Sequence, residues 1–318
     1  VSDRALDVVD AIVRHLHDHE VEIRTNAAVT KLIIEDGHVC GVGLADGTHI
    51  EAASVILATG GASYPATGST GDGYALARAA GHTVTEIFPA LVPLVTSEAW
   101  VKDVQGLSLR NVRASLYHAG KKEQDFFGEM LFTHFGVTGP IILQLSRRAS
   151  ELLAAGTPDL ELRLNLKPAL THEKLRERVE RDFATYERKQ LRNAMIDLLP
   201  KRLIEPVLNA AQLPSERFAR QVSAKERERL VHTLQALPLT VTGTRPIAEA
   251  IVTAGGVATR EIDPRTMESK IVKHLYFVGE LVDVDAYTGG YNLQAAFSMG
   301  HAAGSYSVRD LEGGQVND

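Results

Sequence analysis

The sequence predicts an α/β fold in which the two ends of the chain close on one another around everything between them, and three observations predict it. Apolar runs that stop at glycine lie near both ends, residues 54–59 before Gly60-Gly61 and residues 275–278 before Gly279-Glu280. Strands buried on both faces of a mostly parallel sheet read this way, and a ligand loop belongs at their carboxyl ends. Residues 91–166 and 239–262, between those runs, look mainly β. Residues 165–238 are instead rich in Leu, Arg and Glu at helical spacing, with fifteen Lys and Arg against ten Asp and Glu in a chain whose net charge is −6. That asymmetry marks a separate helical module. The expected division is 1–90 with 268–318 as one discontinuous α/β domain, 91–164 with 239–267 as a second, and 165–238 as a helical insert.

Taken in order, the elements follow from local chemistry. An amphipathic helix opens the chain, with Ser2 as its cap and Leu6, Val8, Val9, Ile12, Val13 and Leu16 near helical spacing. Because Val1 enters this helix directly, further residues are expected upstream. Strands are expected over 21–25, 29–34, 39–44 and 49–57, with Asp36-Gly37 and Asp46-Gly47 as tight turns, since Asx-Gly pairs tolerate the positive φ such turns need. The loop G-S-T-G-D-G from Gly68 opens a helix over 74–80 that Gly81 closes. Pro140 starts another, through Ile141, Leu145, Leu152 and Leu153, that ends at Gly156. Thr288-Gly289-Gly290-Tyr291-Asn292 leads into a last helix over 293–303.

Composition narrows the function. A chain of 318 residues with 44% apolar and 23% charged residues is an ordinary globular protein of two or three domains. Its net negative charge is a poor match for nucleic acid, so no nucleic-acid partner is expected. Cys40 stands alone, which excludes an intrachain disulfide and Cys-based metal sites. No run approaches the roughly 18 apolar residues of a membrane span and no signal peptide leads the chain, so a cytoplasmic location without membrane partners is expected. Neither G-x-G-x-x-G in a βαβ context nor a P-loop, H-E-x-x-H or G-x-S-x-G is present, and no metal site is expected.

Three glycine sites carry the chemical signal. At Ala58-Thr59-Gly60-Gly61, missing side chains let backbone approach a bulky cofactor and offer N–H groups to it; a plain strand-to-loop turn leaves the same signature. A carboxylate directly after a strand-ending glycine, Glu280 after Gly279, suits a ribose or ribityl hydroxyl, although surface Glu after a turn is common. Gly289-Gly290-Tyr291-Asn292 presents unpaired N–H groups and the positive end of a helix dipole, which favours an anion above it. A flexible glycine-rich helix start is the other reading.

The string V-I-L-A-T-G-G-A-S-Y-P-A-T-G-S-T-G-D-G-Y, then M-L-F-T-H-F-G-V-T-G-P, then T-A-G-G-V, and finally L-Y-F-V-G-E-L-V-D-V-D-A-Y-T-G-G-Y-N-L-Q-A-A resembles the YhiN/BaiN-like FAD-dependent flavoproteins in the order and spacing of four motifs, over essentially the whole chain. That resemblance implies a Rossmann-like FAD-binding domain interrupted by a β-barrel-like domain that itself carries a helical insert. It also implies that Ala28 and Val29 lie near the adenine and that Ala58, Thr59, Gly60 and Gly61 approach the cofactor. Gly279 and Glu280 would reach the ribityl and pyrophosphate region, and Gly289, Gly290, Tyr291 and Asn292 would face the isoalloxazine. The family's opening strand, glycine fingerprint and helix are not in this sequence. A βαβ unit takes about 30 residues and supplies much of the pyrophosphate contact, so this chain alone is expected to bind FAD weakly or not at all.

The implied activity is hydride transfer between flavin and a small-molecule substrate, with His134, Tyr64 and Tyr287 as candidate proton donors or acceptors. For His134, between Phe132 and Phe135, a structural role satisfied by backbone competes with the catalytic one. NAD(P)H as electron donor, the substrate, the direction of transfer and the oligomeric state stay open. So do two other classes: a catalytically silent fragment, and a partner- or RNA-binding module that uses Arg176, Arg178, Arg181, Arg188, Lys189 and Arg192. Those charges interleave with Glu173, Glu177, Glu180 and Glu187 at i,i+4 spacing, as on a solvated helix face.

Overall fold

The computed structural model describes residues 3–157 and 159–309. Helix α1 (Ala5–Asp18) comes first, and Arg4 precedes it without a side-chain cap; the expected Ser2 cap lies outside the described residues. An antiparallel sheet follows, β1 (Val29–Glu35), β2 (His38–Leu44) and β3 (His49–Glu51), in that order. Asp36-Gly37 joins its first pair with both φ angles positive, as its composition predicts. The expected single run over 49–57 is broken, and β4 (Val55–Leu57) belongs to a different sheet. No strand forms over 21–25, because no neighbouring strand is there to complete its backbone hydrogen bonds among the described residues.

The ends of the chain do meet. β13 (Leu275–Phe277) runs parallel to β4, with Val55 opposite Leu275 and Leu57 opposite Phe277. Among the described residues this parallel sheet has two strands. Leu57, Leu275, Tyr276 and Phe277 are buried in one core together with α2 (Asp72–Ala79), which supplies Tyr74, Leu76 and Ala77. α1 stays outside it: Leu6, Val8, Val9 and Ile12, the face expected to pack, are exposed.

Residues between these ends form a closed barrel. Its strands are β6 (Leu94–Thr96), β7 (Ser108–His118), β8 (Lys121–Phe132), β9 (Gly136–Thr138), β10 (Leu160–Asn165) and β11 (Leu237–Thr244). Closure removes every edge, and strict alternation turns Leu160, Leu162 and Leu164 of β10 inward beside Leu237, Leu239 and Val241 of β11. Each such leucine contributes roughly 1.5–3 kcal/mol by burial. Helix α3 (Pro140–Ala154) starts at the proline after Gly139, presents Ile141, Ile142, Leu145 and Ala149 to the barrel, and packs on β8 and on β5 (Phe88–Ala90). β5 pairs with β12 (Val252–Ala254).

Between β10 and β11, which are neighbours, the chain makes four helices: α4 (His172–Thr185), α5 (Leu191–Ala194), α6 (Lys201–Ala210) and α7 (Ala224–Gln235). Thr171 caps α4, and Ser223 with Glu226 forms a capping box on α7. These helices are not a free-standing module, because Leu175, Val179, Leu203 and Leu230 join the same buried cluster as the barrel leucines. The chain ends in α8 (Tyr291–Arg309).

Candidate functional site

Two chain segments that leave the parallel strands are brought side by side. Val278 N–H donates to the Leu57 carbonyl at 3.1 Å, which aligns the exit of β13 with that of β4. Gly279 follows in the left-handed region, φ +68°, and turns the chain toward α8. The loop before α8 and the helix start then floor a cavity of about 470 Å³, lined by Gly279, Glu280, Tyr287, Gly289, Gly290 and Asn292. Leu91, ahead of β6, and Ile251, ahead of β12, supply an apolar wall. A second cavity of about 430 Å³ shares Leu91 and Tyr287 with the first and adds Arg147, Asp285 and Tyr291.

The floor is backbone. Gly289 and Gly290 have φ of +121° and +85°, and a Cβ on Gly290 would meet nothing within 4 Å, so it is conformation rather than crowding that requires glycine. The first N–H groups of α8 have no acceptor within the helix, and the dipole places partial positive charge there. Asn292 holds this loop in shape: its Oδ1 accepts from Ala286 N–H and its Nδ2 donates to Ala286 C=O, both at 2.9 Å. Its side chain therefore positions the loop.

Tyr287 stands where the two cavities join. Gln124 of β8 donates from Nε2 to the Tyr287 oxygen at 2.6 Å, and Phe126, two residues on, packs edge-on against its ring. Since the phenol oxygen accepts that bond, its own hydrogen is left to donate to another group. Arg147 of α3 makes a bidentate pair with Asp285, 3.0 and 3.2 Å, and stacks over Phe88. Asp285 holds Arg147 above its already high ordinary value, so the guanidinium is a fixed cation.

Glu280 lines the first cavity and is anchored from a neighbouring strand. Its Oε1 accepts from the Thr253 N–H, while Thr253 Oγ1 accepts from Ala62 N–H at 2.8 Å and Ser63 N–H at 3.1 Å. Gly61 sits against this knot, and a Cβ there would lie 2.3 Å from Thr253 Oγ1 and 2.8 Å from Glu280 Oε1. Part of the A-T-G-G signal is therefore close packing of two loops. Thr59 Oγ1 is buried without a hydrogen-bond partner. Tyr74 reaches the Glu280 carbonyl at 3.4 Å, and burial, reinforced by the nearby charges of Glu280 and Asp283, pushes its phenol up, so it stays neutral.

Of the other candidates, Ala28 and Val29 lie on the antiparallel sheet, where the Ala28 carbonyl accepts from Ala45 N–H and Val29 pairs with Leu44, and neither lines the two cavities. Tyr64 is exposed at φ +50° ahead of a 3-10 turn, also away from them. His134 is exposed in the turn after β8, at the opposite end of that strand from Gln124, against Phe135. Eight residues of strand separate Gln124 from Phe132, roughly 27 Å at the usual rise. The structure thus gathers Tyr287, Gly279, Glu280 and the Gly289–Asn292 loop at one place and leaves His134 and Tyr64 elsewhere.

Residues 1–306 match the family described as HI0933-like protein Rossmann domain. The chain belongs to this family. It is similar to the 3-dehydro-bile acid delta(4,6)-reductase of Clostridium scindens, 32% identical over 304 residues, 95% of this chain and 73% of the relative. It is also similar to two proteins named ribosomal RNA dihydrouridine synthase. The one from Escherichia coli is 30% identical over 94% of this chain and 71% of its own length, and the one from Haemophilus influenzae 31% over 89% and 67%. These relatives place the HI0933-like chain in the YhiN/BaiN group that its four motifs resemble, and the reductase name supports an oxidoreductase.

The sequence did not single out Gln124, Arg147 and Asp285, which border this junction. Gln124 lies 163 positions from Tyr287 and Arg147 lies 138 from Asp285, so only the packing of β8 and α3 against the loop ahead of α8 brings them together. The one available signal was weak: the V-D-V-D-A-Y run puts two carboxylates just ahead of a glycine loop.

Proposed function

We propose that this chain is a flavin-dependent reductase that delivers hydride to a carbon–carbon double bond conjugated to a carbonyl. The observation that carries the reading is the junction at Tyr287, where a glycine-floored cavity meets a second one walled by Arg147 and Asp285. The first suits a flat ring: no Cβ projects from Gly289 or Gly290, Leu91 and Ile251 face it, and the α8 N-terminus favours negative charge over the floor. FAD fits this donor set. On this reading Gly279, Gly289, Gly290, Tyr291 and Asn292 border the isoalloxazine and ribityl, residues 58–61 and Glu280 shape the entry to it, and Ala28 and Val29 lie toward the adenine. Residues 1–90 with 268–318 hold the cofactor, 91–164 with 239–267 form the substrate wall, and 165–238 stand apart from the chemistry.

Bound flavin supplies the hydride, with NAD(P)H as its source of electrons. This chain's residues do the rest. Tyr287, fixed by Gln124 and Phe126, donates its free hydrogen to the substrate carbonyl or to the carbon that must be protonated. Arg147 holds a carbonyl or anionic group at the rim, and Asp285 offsets its charge enough to keep a neutral ligand acceptable. The relatives' names support the bond type: a delta(4,6) 3-dehydro-bile acid and a uridine both carry an alkene conjugated to a carbonyl. A small organic enone is the first substrate class, and a uridine in RNA is the second, favoured by the names of the two synthases.

The test is a fluorescence titration of the chain with FAD, followed by anaerobic reduction and addition of a 3-oxo-Δ4 steroid or of unmodified ribosomal RNA. Reoxidation of the flavin with appearance of the saturated product is expected for one of them. With FAD supplied in excess, a reduced flavin that neither acceptor reoxidises faster than the same flavin free of the chain overturns the proposal.

A further inference from the structure

Away from the cleft, in the helical excursion, three ligand-type side chains converge. His172 is the first residue of α4, and Glu228 and His232 are one turn apart on α7. His172 Nε2 is 2.6 Å from Glu228 Oε1, His232 Nε2 is 3.3 Å from the same oxygen, and the three donor atoms lie within 4.8 Å of one another. The imidazoles face each other with ring centres 4.7 Å apart.

We propose that His172, Glu228 and His232 form a binding site for a divalent transition metal of the Zn²⁺ type, which clamps the start of α4 to α7. The orientation of His172 carries the argument. Gln235 Nε2 donates to the Leu170 carbonyl at 3.3 Å, so Gln235 Oε1 is the end that faces His172 Nδ1, at 2.9 Å. In the neutral ring the hydrogen is therefore on Nδ1, and Nε2 is the atom that faces the Glu228 carboxylate and the His232 ring, where it holds either a proton or a metal ion. Three donor atoms converging on one point need a cation among them, a proton in the metal-free chain or a metal ion in its place. An outer-sphere acceptor that fixes the tautomer of a ligating histidine is the usual companion of a metal site. Two imidazoles and one carboxylate suit borderline metals better than Mg²⁺ or Ca²⁺, and three protein ligands leave a position for water. Arg176, the nearest adverse charge on α4, is paired with Glu180 at 3.5 Å.

Gly-rich loops and the two cavities play no part in this site, so its test is independent of the flavin reading. The untagged full chain is stripped with chelator, dialysed and titrated with Co²⁺ and Zn²⁺, following the Co²⁺ ligand-field bands, calorimetric stoichiometry and Tm. The titration is run in a His15→Ala/His19→Ala background, because those exposed histidines, on α1 and just after it, also lie with their rings 4.2 Å apart. One ion per chain, tetrahedral or five-coordinate Co²⁺ bands and a metal-dependent rise in Tm are expected. H232A, the most exposed of the three, should fold normally and lose at least tenfold in affinity, and Q235L should lose about tenfold through loss of orientation. No saturable binding, or binding unchanged by H232A and by E228Q, overturns the proposal and leaves a shared proton as what holds the cluster.

Discussion

Gln124 accounts for why Tyr287 can act as a donor: an amide that fills the phenol's acceptor site leaves the hydrogen free while preventing the ring from swinging away. Tyr287→Phe should lower kcat about 10²-fold or more, the usual worth of a positioned acid, with FAD affinity unchanged in a fluorescence titration. His134→Ala, at the far end of β8, should leave turnover as it is. Arg147 sits on the other side of the same junction, and its removal reaches beyond binding. The Asp285 side chain is only 10% accessible, whereas that of Arg147 is 37%. Arg147→Met would strand a nearly buried carboxylate. The expected cost is about 2 kcal/mol, less than the 3–5 typical of a fully buried pair because the cation is partly open to water, and urea unfolding would measure it.

At the scale of elements, the loop ahead of α8 owes its shape to one side chain. Asn292→Ala removes two hydrogen bonds to Ala286, worth about 1–3 kcal/mol together. Because they span only the loop, the loss should show as faster proteolysis at residues 284–290 and weaker FAD binding, with a small change in Tm. The same loop illustrates what a sequence can disclose. Thr288-Gly289-Gly290-Tyr291-Asn292 announces a helix start, and the apolar runs ending at Gly60 and Gly279 announce their own pairing, since both signals are local in the chain. The anchoring of Glu280 was not legible because its hydrogen-bond partner, Thr253, comes from β12, and nothing near position 280 signals a neighbour 27 residues away. Residues 21–25 and the apolar face of α1 have the right periodicity for packed elements, but periodicity expresses a capacity to pack and does not supply the partner. The mixed α/β class and the pairing of its two distant apolar runs were thus legible, whereas the contacts around Tyr287 depended on packing between segments far apart in sequence.

For the molecule as a whole, acid sensitivity has a definite origin. His82, at the end of α2, is buried against Phe277, with Nε2 2.7 Å from Ser269 Oγ and Nδ1 3.3 Å from Glu261. Burial lowers it from its ordinary 6.5, and Glu261 pulls the other way without overcoming burial. The unfolded chain therefore binds the proton more tightly. Stability from this group is full above 6.5 and is lost as pH falls from there toward the lowered folded value. Thermal melts between about pH 8 and about pH 5 should show that decline, and His82→Gln should flatten it.

Barrel closure also dictates how the chain reaches this structure. Strands β6 and β11 are hydrogen-bonded neighbours, yet Val95 and Thr242 are 147 positions apart. Bringing such distant segments together is entropically costly and slow, whereas the β7–β8 hairpin and the helices α4–α7 need only local encounters. Since Leu203 and Leu230 share the barrel's core, early collapse of those helices draws β10 and β11 together before the ring seals. The single tryptophan, Trp100, lies 5.8 Å from Phe132 and reports that last event. In stopped-flow refolding, Leu203→Ala should slow the tryptophan phase several-fold while leaving the earlier gain of helical signal in place.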